Sequence, residues 1–217
     1  MIIVMGATGG LGGVLAAYDQ LAGHAVVPVL GRKECDLTSE GDIARTLPSL
    51  VLDNLQAIHV INCVGVSMSS TLGKLDDAQA SLTLEVNLLG PMLLLKHLAP
   101  LVKERPGSSV TFLSSVTARM GVAGTAAYSA SKAGLHGLVR VAAQEFARYH
   151  CRVNALELGY FDAGLIRQVP TEVLLRMSER VALKRLGSHE EFVKAVEFVI
   201  GCGYVNGAII PVDGGLV

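Results

Sequence analysis

Short runs rich in β-branched residues alternate with longer helical patterns along the whole chain, and this alternation restricts the fold more than any other feature. Strands are predicted at Ile2–Met5, Ala25–Leu30, Ala57–Cys63, Ser109–Leu113, Cys151–Leu156 and Ala208–Val212. Helices are predicted at Leu11–Ala22, Ser39–Leu47, Gln79–Val102, Ser129–Tyr149, Thr171–Val181 and Glu190–Ile200. Strands that alternate with helices build parallel sheets with helices on both faces, so the expected class is α/β, a Rossmann-type doubly wound parallel sheet. The 217 residues suffice for one such domain with a large core and are short for two. Apolar residues are 51% of the chain, aromatics only 5% and Trp absent, so that core is built from Val, Leu, Ile and Ala, as buried parallel strands require.

One connection departs from the pattern. Five residues lie between Leu30 and Asp36, too few for the dozen or so that a helical crossover between parallel strands needs. The helix after strand two is therefore missing. Either the next strand is a stub around Glu34–Leu37 or the topology is trimmed there, leaving that sheet edge more exposed.

The net charge of -1, without long runs of one sign, gives no footprint for nucleic acid or a membrane surface, so small molecules are the expected partners. Cys35, Cys63, Cys151 and Cys202 are scattered and form neither a CxxC pair nor a metal-ligand spacing; they read as reduced core thiols, and no metal is expected. No segment approaches about 20 consecutive apolar residues, and the expected location is cytoplasmic. The mean hydropathy of +0.48 leaves apolar surface to cover, which favours a homo-oligomer.

The first strand runs into Gly6-Ala7-Thr8-Gly9-Gly10-Leu11-Gly12 and then a helix. Glycines at 6, 10 and 12 let the backbone turn sharply and approach a pyrophosphate, and the helix start offers N–H groups, so Gly6, Thr8, Gly9, Gly10, Leu11 and Gly12 form the candidate phosphate loop. At the end of strand two stand Arg32 and Lys33, where a dinucleotide fold brings the adenosine ribose; bases there suit the 2′-phosphate of NADP(H). Glu34, the nearby acid, keeps NAD(H) open.

Tyr128 and Lys132 occupy i and i+4 at the start of a predicted helix, which puts them on one face. A neighbouring ammonium and an oxidised nicotinamide would favour the phenolate and bring the phenol toward acid–base work near pH 7. Ser115 stands thirteen residues earlier, at the carboxyl end of a strand, where ligands of open α/β sheets gather and a hydroxyl could polarise a carbonyl.

With these residues in place the chain resembles the short-chain dehydrogenase/reductase family, closest to its 3-oxoacyl-(acyl-carrier-protein) reductase branch, over nearly its whole length. The glycine loop matches the family's TGxxxGxG, with Met5 in place of Thr. Asp36-Leu37 resembles the family's adenine contact, and Asn62 and Gly65 keep the first and last residues of its NNAG segment. Glu85-Val86-Asn87-Leu88 is similar to the helix that supplies a fourth catalytic residue, and Asn154–Gly159 is similar to NxxxPG beside the nicotinamide, with Leu158 for Pro and Ala163 where a Thr often stands. Asn206-Gly207 and Val212–Gly215 resemble the closing strand.

The resemblance implies a mechanism. The pro-S hydride of NADPH attacks a carbonyl carbon while Ser115 hydrogen-bonds the oxygen and Tyr128 delivers the proton. Lys132 binds the nicotinamide ribose and lowers the Tyr128 pKa, Asn87 holds a relay water through its helix backbone, and Gly159 and Phe161 lie by the nicotinamide together with Tyr128. It also implies a dimer or tetramer built on the helices Gln79–Val102 and Ser129–Tyr149. The implied substrate is a small carbonyl or alcohol, an acyl thioester among the candidates. Residues 157–187 read as a substrate lid, with Tyr160, Phe161, Leu165, Ile166, Val169, Leu174 and Met177 as its apolar lining; Arg119, Arg148 and Arg167 are candidate basic residues at the mouth. Two other readings stand beside this one. A sugar-nucleotide epimerase or dehydratase would need a further C-terminal substrate domain, and a non-enzymatic dinucleotide sensor would be consistent with the altered Met5, Leu158 and Ala163.

Overall fold

A computed structural model describes residues 1–29, 31–51, 56–164, 166 and 169–217. The predicted strand end Leu30, the lid residue Leu165 and the mouth candidate Arg167 lie outside the described residues. The elements run β1 (Ile2–Met5), α1 (Gly10–Ala16), β2 (Gln20–Leu21), β3 (His24–Val29), α2 (Glu40–Leu50), β4 (His59–Asn62), α3 (Asp77–Leu84), α4 (Gly90–Lys103), β5 (Ser109–Ser115), α5 (Ala126–Ala147), β6 (Arg152–Leu158), α6 (Thr171–Arg180), α7 (His189–Gly201) and β7 (Ile209–Val212).

Seven strands form one sheet in the order β2-β3-β1-β4-β5-β6-β7, parallel throughout except for β2 against β3. Alternation along β1 shows how the core is divided. Ile3 and Met5 belong to one apolar cluster with Ile43 and Leu47 of α2, Leu94 and Leu98 of α4, and Leu135 and Val139 of α5. Ile2 and Val4 belong to the other, with Leu15 of α1 and Phe192, Val196 and Val199 of α7. Because successive side chains point to opposite faces, a strand apolar on both must be covered on both, and this is the expected doubly wound arrangement.

At the β3 edge one expectation is corrected, and of two alternatives the trimmed topology is the one observed. The first helix ends at Ala16 rather than Ala22, because Ala22 and Gly23 both take positive φ (49° and 76°) and turn the chain into a hairpin that pairs Leu21 with His24. The stub strand around Glu34–Leu37 is not formed. The chain passes from β3 through turns into α2, whose N-cap Ser39 accepts from Asp42 N–H, and the missing element is a strand rather than a helix alone. Val26–Val29 therefore lie near the sheet edge, where Pro28 has no N–H to offer a further strand.

The stretch Asp77–Lys103 is long and apolar enough, at 27 residues, to cross a bilayer by length and composition. Here it lies on the sheet, with Leu94, Leu98 and Val102 fully buried.

Candidate functional site

The carboxyl ends of β1, β4, β5 and β6 share one edge of the sheet, and the strand order reverses between β1 and β4, where ligands of such sheets collect. Gly6 leaves β1 at φ +78° with Val64 Cγ2 only 2.9 Å from where its Cβ would stand. Gly9 N–H returns to Gly6 C=O at 3.0 Å. A Cβ on Gly12 would lie 2.2 Å from Gly6 O, so close strand–helix packing demands glycine there. Thr8, Gly9 and Gly10 are exposed, Leu11 is half-buried, and no side chain caps α1. The segment after β6 docks on this turn, since a Cβ on Gly10 would meet Gly164 N at 2.0 Å.

At the end of β3, Gly31 sits against the Thr8 side chain. Arg32 Nε pairs with Asp36, whose other oxygen accepts from Thr38 N–H and Oγ1 at 2.9 and 2.8 Å. These bonds outweigh burial and hold the Asp36 carboxyl below its ordinary pKa. The Arg32 side chain stays 71% exposed beside exposed Lys33. Leu37, read as an adenine contact, is buried in the first core cluster.

Ser115, Tyr128, Lys132 and Asn87 converge. Ser115 ends β5, and its Oγ accepts from Thr117 N–H at 3.2 Å and from Thr117 Oγ1 at 3.0 Å. Lys132 Nζ is 5.7 Å from the Tyr128 ring centre and donates to Leu113 C=O at 2.8 Å. Burial brings the Lys132 pKa down to about 8. Asn87 is fully buried; its amide donates to Val66 C=O (2.8 Å) and Ser131 Oγ (3.1 Å), and its Oδ1 accepts from Val66 N–H (2.9 Å). A Cβ on Gly65 would stand 3.4 Å from Asn87 Oδ1 and 3.5 Å from Lys132 Nζ. Asn62 Oδ1 accepts from Val64 N–H and fixes the chain as it leaves β4.

The expected lowering of the Tyr128 pKa by Lys132 is not present in the protein alone. Loss of solvent around the phenol raises it, and a hydrogen bond with Ser115 acts only partly against that.

Asn87 sits in a π-turn, Glu85–Leu89, closed by Gly90 N–H on Glu85 C=O. Sequence reasoning placed an uninterrupted helix here and missed the turn, although Pro91 signals it. Proline has no N–H, so the Asn87 carbonyl has no i+4 donor.

A second cluster was also missed. Glu157 on β6 is 1% exposed and accepts from Arg119 Nε at 2.7 Å, while Arg119 Nη2 lies 3.8 Å from Asp213 Oδ2. His136 Nε2 hydrogen-bonds Ser114 Oγ at 2.7 Å and lies 3.7 Å from Glu157 Oε2. Burial lowers the His136 pKa, with Glu157 opposing. The available signals were an acid inside an apolar strand and a His four residues after Lys132.

Among the mouth candidates, Arg119 is thus committed to Glu157. Arg148 is a correction: it follows the 22-residue α5, stacking on Tyr149, about 30 Å of helix away from the end that holds Tyr128. In the lid segment the Phe161 ring is buried, packing edge-on to Phe192 and against Gly187. Ala163 and Ile166 are buried, whereas Val169, Leu174 and Met177 are half-buried. Tyr160, Val181, Leu183 and Asp213 help line a cavity of about 270 Å³. Gly159 packs on Asp213, where a Cβ would lie 2.7 Å from Asp213 Cα.

Residues 14–217 match a family model described as enoyl-(acyl carrier protein) reductase. The human 3-oxoacyl-(acyl-carrier-protein) reductase is 30% identical over 182 residues, 84% of this chain and 76% of that protein. The 3-oxoacyl-(acyl-carrier-protein) reductase of Pseudomonas aeruginosa is 33% identical over 184 residues, covering 83% and 74%. In solved structures the same fold appears in a small-chain dehydrogenase in complex with NADPH, with a TM-score of 0.86 at 24% identity over 99% of this chain and 97% of that one. A putative gluconate dehydrogenase from Agrobacterium tumefaciens gives a TM-score of 0.85 at 24% identity, covering 100% and 95%.

Proposed function

We propose that this chain, which belongs to the short-chain dehydrogenase/reductase family of oxidoreductases, interconverts a carbonyl and an alcohol with NADP(H), using Tyr128 as general acid and base. The observation that carries this reading is the meeting of Ser115, Tyr128, Lys132 and Asn87 at the sheet edge that also bears the glycine turn. The chain is taken as one dinucleotide-binding unit, with residues 157–187 as its substrate lid.

The residues present suit a nicotinamide dinucleotide. Gly6, Thr8, Gly9, Gly10, Leu11 and Gly12 would follow the pyrophosphate, because Thr8, Gly9 and Gly10 are exposed at the start of α1 and glycine lets the backbone approach closely. Arg32 and Lys33 would hold the 2′-phosphate; Arg32 is steadied by Asp36 through Nε, with most of its side chain in solvent. Asp36, Asn62 and Gly65 would border the adenosine, with Leu37 supporting from the core, and Gly159 and the Phe161 backbone would border the nicotinamide. When bound, the cofactor supplies or accepts the hydride.

Everything else falls to side chains of this protein. Ser115 donates a hydrogen bond to the substrate oxygen and stabilises charge as it develops there. Tyr128 gives its phenolic proton to that oxygen in reduction and takes it back in oxidation. Lys132 holds the ribose hydroxyls, and it is Ser115 that opposes the desolvation raising the Tyr128 pKa. The Asn87 carbonyl, without an i+4 donor, accepts from a water that passes protons between Lys132 and solvent. An acyl thioester is the substrate class suggested by the 3-oxoacyl reductases among the relatives.

The test follows NADPH and NADH absorbance with a panel holding acetoacetyl and crotonyl thioesters and simple ketones, with Tyr128→Phe as control. Turnover of the ketones and acetoacetyl thioesters with NADPH, lost in Tyr128→Phe, is expected. Tight cofactor binding without turnover would make the chain a dinucleotide sensor instead, and better use of NADH would overturn the roles of Arg32 and Lys33.

A further inference from the structure

We propose that Thr117 is a positioning residue that makes Ser115 a one-way hydrogen-bond donor, aimed at Tyr128 and then at the substrate oxygen. A hydroxyl has one hydrogen to give and two lone pairs to receive with. Both receiving sites on Ser115 Oγ are taken by one residue, since Thr117 N–H reaches it at 3.2 Å and Thr117 Oγ1 donates to it at 3.0 Å. The Ser115 hydrogen is the only capacity left. That hydrogen is what Ser115 can offer the Tyr128 phenol, and Ser115 does act to lower the Tyr128 pKa against burial.

Thr117 can do this because its backbone is fixed. Ser115 is the N-cap of a single 3₁₀ turn, Val116–Ala118, which Arg119 N–H closes on Val116 C=O at 2.9 Å. The Arg119 side chain ties the far end of that turn to buried Glu157. Thr117 is half-buried between two anchored residues, with its hydroxyl on Ser115 Oγ. Without it, the Ser115 hydroxyl would be free to turn and accept from the phenol, an arrangement that opposes a developing oxyanion rather than stabilising it. Glu157 and Arg119 act one step further out, by holding the turn.

This inference rests on the proposed role of Ser115, and the experiment separates the two. Steady-state kinetics with NADPH and an acetoacetyl thioester would be measured for the parent, Thr117→Val, Thr117→Ser and Ser115→Ala. Losing one oriented hydrogen bond predicts a kcat lowered roughly tenfold in Thr117→Val, with KM and NADPH affinity within about twofold of the parent. Thr117→Ser keeps the hydroxyl and is expected to restore kcat to within about twofold. In the oxidation direction the acid limb of the pH profile should move upward by roughly half a unit in Thr117→Val, because the Ser115 hydrogen no longer supports the phenolate. A purely structural role for Thr117 would leave that limb in place.

If Thr117→Val matches the parent in kcat and in pH limb while Ser115→Ala is inactive, the positioning role is wrong and the site reading survives. If Ser115→Ala itself turns over like the parent, the reading of the site falls as well. Should Thr117→Val fail to bind NADPH, Thr117→Cys, of similar bulk but a weak donor, takes its place with the same expected loss.

Discussion

Arg119 and Glu157 form a charge-assisted pair in which Nε and Nη2 both meet Oε1, at 2.7 and 2.6 Å, while Oε2 of the same buried carboxylate has no hydrogen-bond partner among the described residues. His136 Nε2 lies 3.7 Å from that oxygen. Removing one partner of a buried pair is far more damaging than removing both, because the survivor is left charged in a poor solvent. Arg119→Met is therefore expected to lower stability by about 2–4 kcal/mol, and the double variant Arg119→Met/Glu157→Leu to recover most of the loss. Arg119 is 44% exposed, which places the effect at the lower end of that range. Urea melts of the parent, Arg119→Met, Glu157→Leu and the double variant check this, and an Arg119→Met protein as stable as its parent would show that water already solvates Glu157.

Much of this architecture was legible in the chain because a parallel sheet writes itself twice, once as apolar runs and again as the glycine turn that follows the first of them. The spacing of Ser115, Tyr128 and Lys132 was legible for a similar reason, since a strand end and one helical turn fix where those side chains emerge. Features created by contacts between distant segments were not. Glu157 belongs to Arg119 and His136 only because β5 and β6 align Ser114 opposite Glu157. The π-turn at Asn87 is invisible to apolar periodicity, and the Ala22-Gly23 hairpin was lost because a helical pattern ran through it. The packing of the Phe161 ring on Phe192 of α7 is another such contact between distant segments.

Two neighbouring glycines should behave oppositely. A Cβ at Gly12 would lie 2.2 Å from Gly6 O, a backbone atom that cannot move without unwinding the turn, whereas at Gly13 the nearest atom is Ala7 O at 3.4 Å. Gly12→Ala is expected to destabilise by about 2 kcal/mol or more and to weaken NADPH binding. Gly13→Ala lies inside α1 and is expected to be neutral or to stabilise by up to about 1 kcal/mol, since alanine favours the helix. Thermal melts with and without NADPH distinguish them, and equal behaviour of the two variants would contradict the packing described.

Lys132 should make the free protein less stable than it could be. Its folded pKa of about 8 lies below the ordinary lysine value of 10.5, so burying the charged form costs stability at every pH below about 8. As pH rises from about 8 toward 10.5, the unfolded chain holds the proton that the folded one has released, and stability recovers. Lys132→Met is accordingly expected to stabilise the cofactor-free protein by about 1–3 kcal/mol at pH 7, less whatever the bond to Leu113 C=O contributes, and to abolish turnover. The gain should shrink across that alkaline interval. A Lys132→Met protein that is less stable than the parent at pH 7 would mean that the hydrogen bond outweighs the desolvation.

Pro91 offers the sharpest separation of stability from function. In an α-helix the N–H of residue 91 would close on the carbonyl of Asn87, and proline removes that donor at the place where the helix already widens into its π-turn. Both Asn87 Nδ2 hydrogens are given to Val66 C=O and Ser131 Oγ, and Oδ1 already accepts from Val66 N–H. The backbone carbonyl is the group that proline leaves without its i+4 donor. Pro91→Ala supplies an N–H, so the α-helical bond can form and withdraw that carbonyl from Lys132 and its water. The expected result is a protein more stable by about 1 kcal/mol or more, with kcat lowered several-fold, KM little changed, and a larger solvent isotope effect as proton return becomes slower. Turnover equal to the parent's, in a variant whose amide exchange shows the new bond at residue 91, would remove the Asn87 carbonyl from the relay and leave Lys132 to exchange its protons by another route.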